Sequence, residues 1–300
     1  VVPIVTLTTD FGTADSYVAQ MKGVLCVHGP ETLRIVDLSH EIAPQAVQAA
    51  ALFVREAIPR FPPGTIHVVV VDPGVGTGRR ALVVEVLGQL LVGADNGLFS
   101  LLFDGSERVF TIDPSRLATN HVSSTFHGRD VFAPAAAALA RGSAPSSLGE
   151  PLADPVKIAL REPRHTRDTV CGHVIHIDRF GNLVTNVSRS SLEQLALAGE
   201  LDTLRVAVES HAGLPLRQRY ADVALGALVA LFGSSDLLEV AARNGNAAAM
   251  TRARVGADVV IRRELTLATR SSAPPPRSSA PPVGTRPSDP DGQTAKHAKQ

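Results

Sequence analysis

An α/β fold is what this sequence predicts: a mostly parallel sheet covered by helices, followed by a smaller β-rich part. Three observations carry that prediction. Strand-like and helix-like segments alternate from residue 2 to residue 141, the β-α-β-α-β order that builds parallel sheets. One of the strands, residues 66–71, is apolar at every position but His67, the habit of a strand buried on both faces. Beyond about residue 150 the helical signals give way to short strand-like runs separated by turn residues, which suggests a second, β-rich domain.

The elements follow in order. Residues 2–8 form a strand ending at Thr9-Asp10-Phe11-Gly12, and Asp15 or Ser16 then caps a helix through about Val27. Residues 34–38 are a second strand and 44–58 a helix with Pro44 near its first turn. After the buried strand 66–71, residues 81–87 and 90–94 make an extended pair about Gly88-Gln89, and 131–141 is an alanine-rich helix. The later strand-like runs are 170–178, 183–187, 204–208, 227–232 and 257–262. From Arg270 onward the chain is Ser, Pro, Arg and Lys with almost nothing apolar, the composition of a disordered tail. The expected division is an N-terminal α/β domain over 1–160, a C-terminal β-rich domain over 168–266 and a tail over 270–300.

Composition narrows the function. The 300 residues are 44% hydrophobic and 19% charged, enough apolar content for real cores. Lys plus Arg and Asp plus Glu are each 29, for a formal net charge of zero, so no basic excess marks a nucleic-acid binder or a polybasic membrane anchor. Cys26 and Cys171 stand far apart and in no CxxC pair, which indicates neither a disulfide framework nor a cysteine metal site. No apolar stretch approaches a membrane span, and the N-terminal residues lack the pattern of a secretory signal. Cytoplasmic is the expected compartment.

Several segments offer chemistry, each beside a plainer alternative. Val68 to Arg80 runs four valines into Asp72, a turn with Gly74, Gly76 and Gly78, and the pair Arg79-Arg80. Its place at the end of a parallel strand is where open α/β sheets bind ligands. A phosphate-cradle reading fails, because the loop leads into ALVVEVL, a β-pattern, rather than into a helix. Asp72 reads equally as a cap of that turn or as a site carboxylate. In Thr125-Phe126-His127-Gly128-Arg129-Asp130, Asp130 serves as an N-cap and His127 as a loop residue, or the imidazole acts as base or proton relay. Asp37-x-x-His40 and His127-x-x-Asp130 contain metal-ligand types at no recognised spacing. Asp10 ends the first strand, where a carboxylate accepts from a ribose diol or from an Asx turn. Asp178-Arg179-Phe180-Gly181-Asn182 is a hairpin connection, or a carboxylate, an aromatic face and an amide able to read a purine edge. Gly233-Ser234-Ser235-Asp236-Leu237-Leu238-Glu239 follows a strand and opens a helix, with Ser234 and Glu239 as cap and solvated residue or as a pocket for an amino acid. No GxSxG elbow and no HExxH occurs.

Taken together, TTDFGTADSYVAQMKG, VDLSHEIAP, VVDPGVGTGRR, ADNGLFS, STFHGRDVFAPAAA, IDRFGNLVTN and SSDLLEVAARNGNAA resemble one family. It is the S-adenosyl-L-methionine hydroxide adenosyltransferases, relatives of the fluorinating and chlorinating enzymes that use the same substrate. The resemblance runs from Val2 to about Arg262. It implies a β-barrel-like C-terminal half and a homotrimer, with each active site where one subunit's N-terminal domain meets a neighbour's C-terminal domain. It implies that S-adenosyl-L-methionine and water give adenosine and L-methionine, with no cofactor and no metal. Asp72, Arg79 and His127 would activate the water. Asp10 would hold the ribose hydroxyls, Phe180 and Asn182 the adenine, and Asp178, Ser234 and Glu239 the methionine part.

In that chemistry the sulfonium leaves as a neutral thioether, so water is the weak partner. His127, oriented by Asp72, is one candidate to accept its proton while Arg79 favours developing hydroxide charge, and the sequence does not decide which of the three takes it. Halide-using relatives carry aromatic or hydroxyl residues at the positions of Asp72 and His127, whereas Gly128 leaves room that chloride could use. Asp236-Leu237 replaces the Gly-Tyr common after the paired serines, and Arg80 beside Arg79 leaves the arginine open by one residue. Two other readings stand: a sensor that binds adenosine or S-adenosylmethionine without turnover, and a metal-dependent hydrolase using His40, His127 and nearby aspartates.

Overall fold

The computed structural model describes residues 2–119, 121–193, 195–196 and 200–263; the expected tail lies outside them. Six strands build the first sheet: β1 (Ile4–Thr9), β2 (Arg34–Ser39), β3 (Ile66–Val70), β4 (Ala81–Val86), β5 (Gln89–Ala94) and β6 (Arg108–Thr111), in the order β2-β1-β3-β5-β4-β6. β1, β2, β3 and β5 pair in parallel, and β4 runs antiparallel to both β5 and β6. The mostly parallel sheet therefore holds, with β6 an addition that the sequence reading missed.

The valine run explains how the sheet is covered. Side chains alternate across a strand, so Val68 and Val70 join one core with Met21 and Leu25 of α1 (Tyr17–His28) and Ala135 and Leu139 of α3 (Ala133–Ala140). Val69 and Val71 join the other core with Ala50 and Val54 of α2 (Val47–Ala57). A strand with apolar neighbours on both faces cannot alternate in polarity. The helix read over 44–58 begins later, at Val47, and finishes in a 3-10 turn at Ile58–Arg60.

His67 is the one polar side chain in that strand. It is fully buried, with Nδ1 2.7 Å from Thr6 Oγ1 and its ring edge-on to Phe61. Burial pushes its pKa from 6.5 down to about 4, so the folded chain keeps it neutral while the unfolded chain protonates it below 6.5. Its contribution is complete above pH 6.5 and disappears as pH falls toward 4, at most about 3 kcal/mol. Chemical denaturation across that range should show a stability slope that His67→Gln flattens; equal slopes would refute this.

The second sheet is antiparallel, built from β7 (Arg164–His165), β8 (Thr169–Ile177), β9 (Leu183–Ser188), β10 (Leu204–Val208), β11 (His211–Pro215), β12 (Leu228–Phe232), β13 (Leu237–Ala242) and β14 (Asp258–Arg263). Its order is β11-β10-β14-β8-β9-β13-β12, with β7 on β8. A bridge between Leu216 and Ala230 joins the two outer strands, so the sheet nearly closes into a barrel around Val174, Leu183, Val206, Val240 and Ile261. Both sheets belong to one compact unit, Val1–Arg263.

The expected helix after Gly233 is corrected. Gly233 to Asp236 is a hairpin turn, with Asp236 at φ 60 and its N–H donating to Gly233 O, and Leu237–Ala242 is strand β13. Leu238 and Val240 point to the barrel core while Glu239 faces the other way, the period of a strand.

Candidate active site

The carboxyl ends of β1 and β3 lie side by side, with Thr9 opposite Val70. The chain leaves both strands there, and the Asp10 N–H still donates to Val70 O at 3.3 Å. Asp10 and Asp72 therefore share one end of a parallel pair. The glycine loop after Asp72 is a pair of tight turns closed by Val75 N–H to Asp72 O and Thr77 N–H to Gly74 O, each at 3.2 Å. Gly76, at φ 75, lies so close to the Ser124 carbonyl that a Cβ would collide with it. That close approach seats the loop against the segment that bears His127.

Asp72, Arg79 and His127 meet. The Arg79 guanidinium donates twice to Asp72, from Nε to Oδ1 at 2.9 Å and from Nη2 to Oδ2, and the same Nη2 stands 2.7 Å from His127 Nδ1. Asp72 and Arg79 side chains are 4% and 10% exposed, so water screens the pair weakly. The arginine is central: it, and not the carboxylate, orients the imidazole. A guanidinium has no acceptor, so His127 Nδ1 accepts and the ring proton sits on Nε2. Burial, and then the Arg79 charge, hold the His127 pKa below its ordinary value. Arg79 also lies 5.3 Å from the centre of the Phe132 ring.

Arg80 goes elsewhere. Its Nε donates to Asp95 at 2.6 Å and Nη1 and Nη2 to Asp154 Oδ1 and O at 2.8 Å, which assigns it to a structural pairing. Asp130 is no N-cap. His127 leads into a π-helical turn, Gly128–Phe132, in which Asp130 pairs with Arg129 at 2.6 Å and accepts from Ser123 N–H at 2.8 Å. Arg129 in turn donates to Gln20 of α1 at 2.9 Å, so His127 rides on a turn fixed at two points.

Asp10, Asp72 and His127 line one cleft of about 370 Å³, walled also by Phe11, Tyr17, Gln45 and Phe126. Asp10 Oδ2 accepts from Gln45 N–H at 2.8 Å. Phe11, Tyr17 and Phe126 pack with ring centres 5.3–5.8 Å apart. Sequence reasoning gave these aromatics no role, although they lie inside the segments it quoted. Among the described residues no three His, Cys, Asp or Glu side chains form a metal-holding group, and His40 has Asp37 and Thr9 at its two ring nitrogens.

Among the described residues the cleft lining runs no further than Gly128, so none of the later candidates belongs to it. Asp178 Oδ1 accepts from the N–H groups of Phe180 and Asn182, and Oδ2 from Asn182 Nδ2, at 2.8–2.9 Å. This closes the β8–β9 hairpin and leaves Phe180 75% exposed at its tip. Ser234 Oγ donates to Glu56 of α2 at 3.4 Å. Glu239 lies over Gly233, where a Cβ would strike its carboxylate. Burial, then the charges of Asp178 and Glu56, raise the Glu239 pKa to about 7. Glu56 was missed because on an amphipathic helix it looks like any solvated carboxylate.

Residues 5–149 match the SAM hydroxide adenosyltransferase N-terminal domain, and residues 172–260 match the C-terminal domain of the same family. The chain belongs to the SAM hydroxide adenosyltransferase family. Within reach of this family it is 41% identical over 249 residues to the (R)-S-adenosyl-L-methionine hydrolase of Thermus thermophilus, covering 80% of this chain and 91% of that one. Similarity to the fluorinase of Nocardia brasiliensis is lower, 27% over 292 residues, covering 87% and 97%. A crystal structure of an uncharacterized conserved protein from Thermotoga maritima superposes with a TM-score of 0.80 at 32% identity, covering 87% and 100%. The family's two domains thus correspond to the α/β sheet with its cleft and to the near-closed barrel with the Glu239 cluster.

Proposed function

We propose that this family member hydrolyses S-adenosyl-L-methionine to adenosine and L-methionine by displacement at C5′, with water as nucleophile. The observation that carries the proposal is the Asp72–Arg79–His127 chain, whose two ends, Asp72 and His127, line the cleft. The name of the Thermus relative specifies the R configuration at sulfur, and we take that epimer as substrate. Asp10 receives the ribose diol, since a carboxylate accepts two hydroxyls at once.

The geometry supports one path for the proton. With Nδ1 engaged by Arg79, neutral His127 offers only the Nε2 proton, so it donates to the water oxygen and stabilises the hydroxide that develops. The water oxygen bonds to C5′, the C5′–S bond breaks, and its electron pair stays on sulfur as methionine's thioether. The proton released passes to Asp72, whose oxygens keep lone pairs beyond those used by Arg79. Nucleophile and sulfonium neutralise each other, so a dry preorganised pocket favours the transition state, and alignment of water with C5′ lowers the barrier further. No cofactor enters this reaction.

The adenine and methionine ends fall to Phe180 and Asn182 and to Asp178, Ser234 and Glu239. In this reading they reach the cleft from a neighbouring subunit of a homotrimer. The separation of the two residue groups within one chain supports that arrangement.

Water is favoured over chloride by the hydrogen-bonded set of Asp72, Arg79 and His127, polar groups suited to polarising a water molecule. Incubation with S-adenosyl-L-methionine in oxygen-18 water, with and without chloride, should yield labelled adenosine in both. Appearance of 5′-chloroadenosine would overturn the choice of nucleophile, and binding without turnover would make the protein a sensor.

A further inference from the structure

A second chain of side chains lies behind Asp10, and the hydrolysis reading gives it no task. Lys22 Nζ donates to Asp37 Oδ2 at 2.5 Å, and His40 Nε2 lies 3.0 Å from Asp37 Oδ1. His40 Nδ1 then meets Thr9 Oγ1 at 2.9 Å, and Thr9 Oγ1 is 3.3 Å from the Phe11 N–H. Each role follows from the inventory of donors and acceptors. A carboxylate only accepts, so the His40 proton sits on Nε2, near Asp37 but off the line of a hydrogen bond; Nδ1 then accepts the Thr9 hydroxyl proton, and the Thr9 oxygen accepts from Phe11.

The chain is interior where it matters: His40 is 7% exposed and Thr9 not at all. Partial burial disfavours ionised Asp37, but the Lys22 hydrogen bond and the nearby His40 outweigh it and hold that carboxyl below its usual range. The backbone repeats the link, since the His40 carbonyl accepts from Gly12 N–H at 2.7 Å. Contacts from His40 therefore fasten the chain on both sides of Asp10, at Thr9 and at Gly12. Asp10 itself is steered by Gln45 N–H at 2.8 Å, from the loop that follows His40. Gln45 holds φ 64 there, a strained backbone for a residue other than glycine.

We infer that Thr9 and His40, anchored by Asp37, are positioning residues that set the direction of the Asp10 carboxylate and so the enzyme's grip on the ribose diol. The inference rests on the reading that Asp10 receives that diol. The chain touches no substrate atom. Its effect is the difference between a carboxylate held in one orientation and one free to rotate, which changes affinity for a diol and leaves the adenine alone.

The test compares binding of adenosine and 2′,3′-dideoxyadenosine to the full-length protein by calorimetry, with melting curves to confirm folding. The wild type should prefer adenosine, and Asp10→Ala should abolish that preference. Thr9→Val, which replaces the hydroxyl with a methyl, should cut the preference about tenfold, with dideoxyadenosine affinity unchanged. Thr9→Ser should preserve it. His40→Asn, which keeps an acceptor near Thr9, should retain more of it than His40→Ala. A fold defect would weaken both nucleosides alike and overturn the inference. If Asp10→Ala loses the preference while Thr9→Val and His40→Ala keep it, the positioning role is wrong and the ribose reading stands. If Asp10→Ala keeps it, the ribose reading itself fails.

Discussion

Arg79→Lys is expected to leave S-adenosyl-L-methionine bound and to lower kcat by about 10²–10³-fold, the usual cost of one misplaced electrostatic contact in a preorganised site. Arg79 does three things at once: two donations to Asp72 and one to His127. A lysine is a point charge on a flexible stem and cannot reproduce that planar fork. Without the guanidinium contact His127 is released to either tautomer, and the Nδ1–H form presents a lone pair to the water where a proton is needed. Single-turnover and equilibrium-binding measurements separate the two effects; an unchanged kcat would remove Arg79 from the chemistry.

The neighbouring arginine provides the control. Arg80→Lys loosens the contacts to Asp95 and Asp154, so it should lower the melting temperature and leave kcat near the wild type. NMR gives an independent view of the same geometry. His127 is kept below its ordinary pKa by burial and by Arg79, so Arg79→Met should move its titration midpoint upward. Below that midpoint the protonated ring would put two donors face to face, and the wild-type rate should fall on the acid side, at a pH under the ordinary histidine value of 6.5.

The chain order and patterning made the α/β sheet legible, because a strand apolar on both faces has few homes other than a covered parallel sheet. The glycine turn was legible as a turn, since what followed it was strand and not helix. Three features depended on contacts that no local pattern expresses. Arg79 and Arg80 are equivalent in sequence, and only the twist of the turn sends one to Asp72 and the other to Asp95. The arginine's contact with His127 joins positions 48 residues apart. Leu237 to Val240 alternates in burial as a strand does, but the alanines and glutamate of Leu237–Ala242 suit a helix as well, and pairing with β9 and β12 decided the matter.

The second large effect concerns the assembly. Among the described residues the cleft lining ends at Gly128, whereas Phe180 projects, 75% exposed, from the β8–β9 hairpin. An aromatic ring so placed gains little on its own chain. Against a neighbour's cleft it would cover adenine and shed that exposed surface. Two dead variants should then rescue one another. Asp72→Asn damages the N-terminal side of every site, and Phe180→Ala with Asn182→Ala damages the C-terminal side. In a homotrimer assembled from equal amounts of both, a site is intact when the first side comes from one variant and the second from the other. Coexpression should therefore restore about a quarter of wild-type turnover, from parents with almost none. A site built within one chain would carry a defect in every subunit, and the mixture would stay as inactive as its parents. Mixing the purified proteins without subunit exchange should also give nothing, which separates repair at a shared interface from any effect of added protein. Recovery on coexpression alone would thus locate the chemistry between subunits.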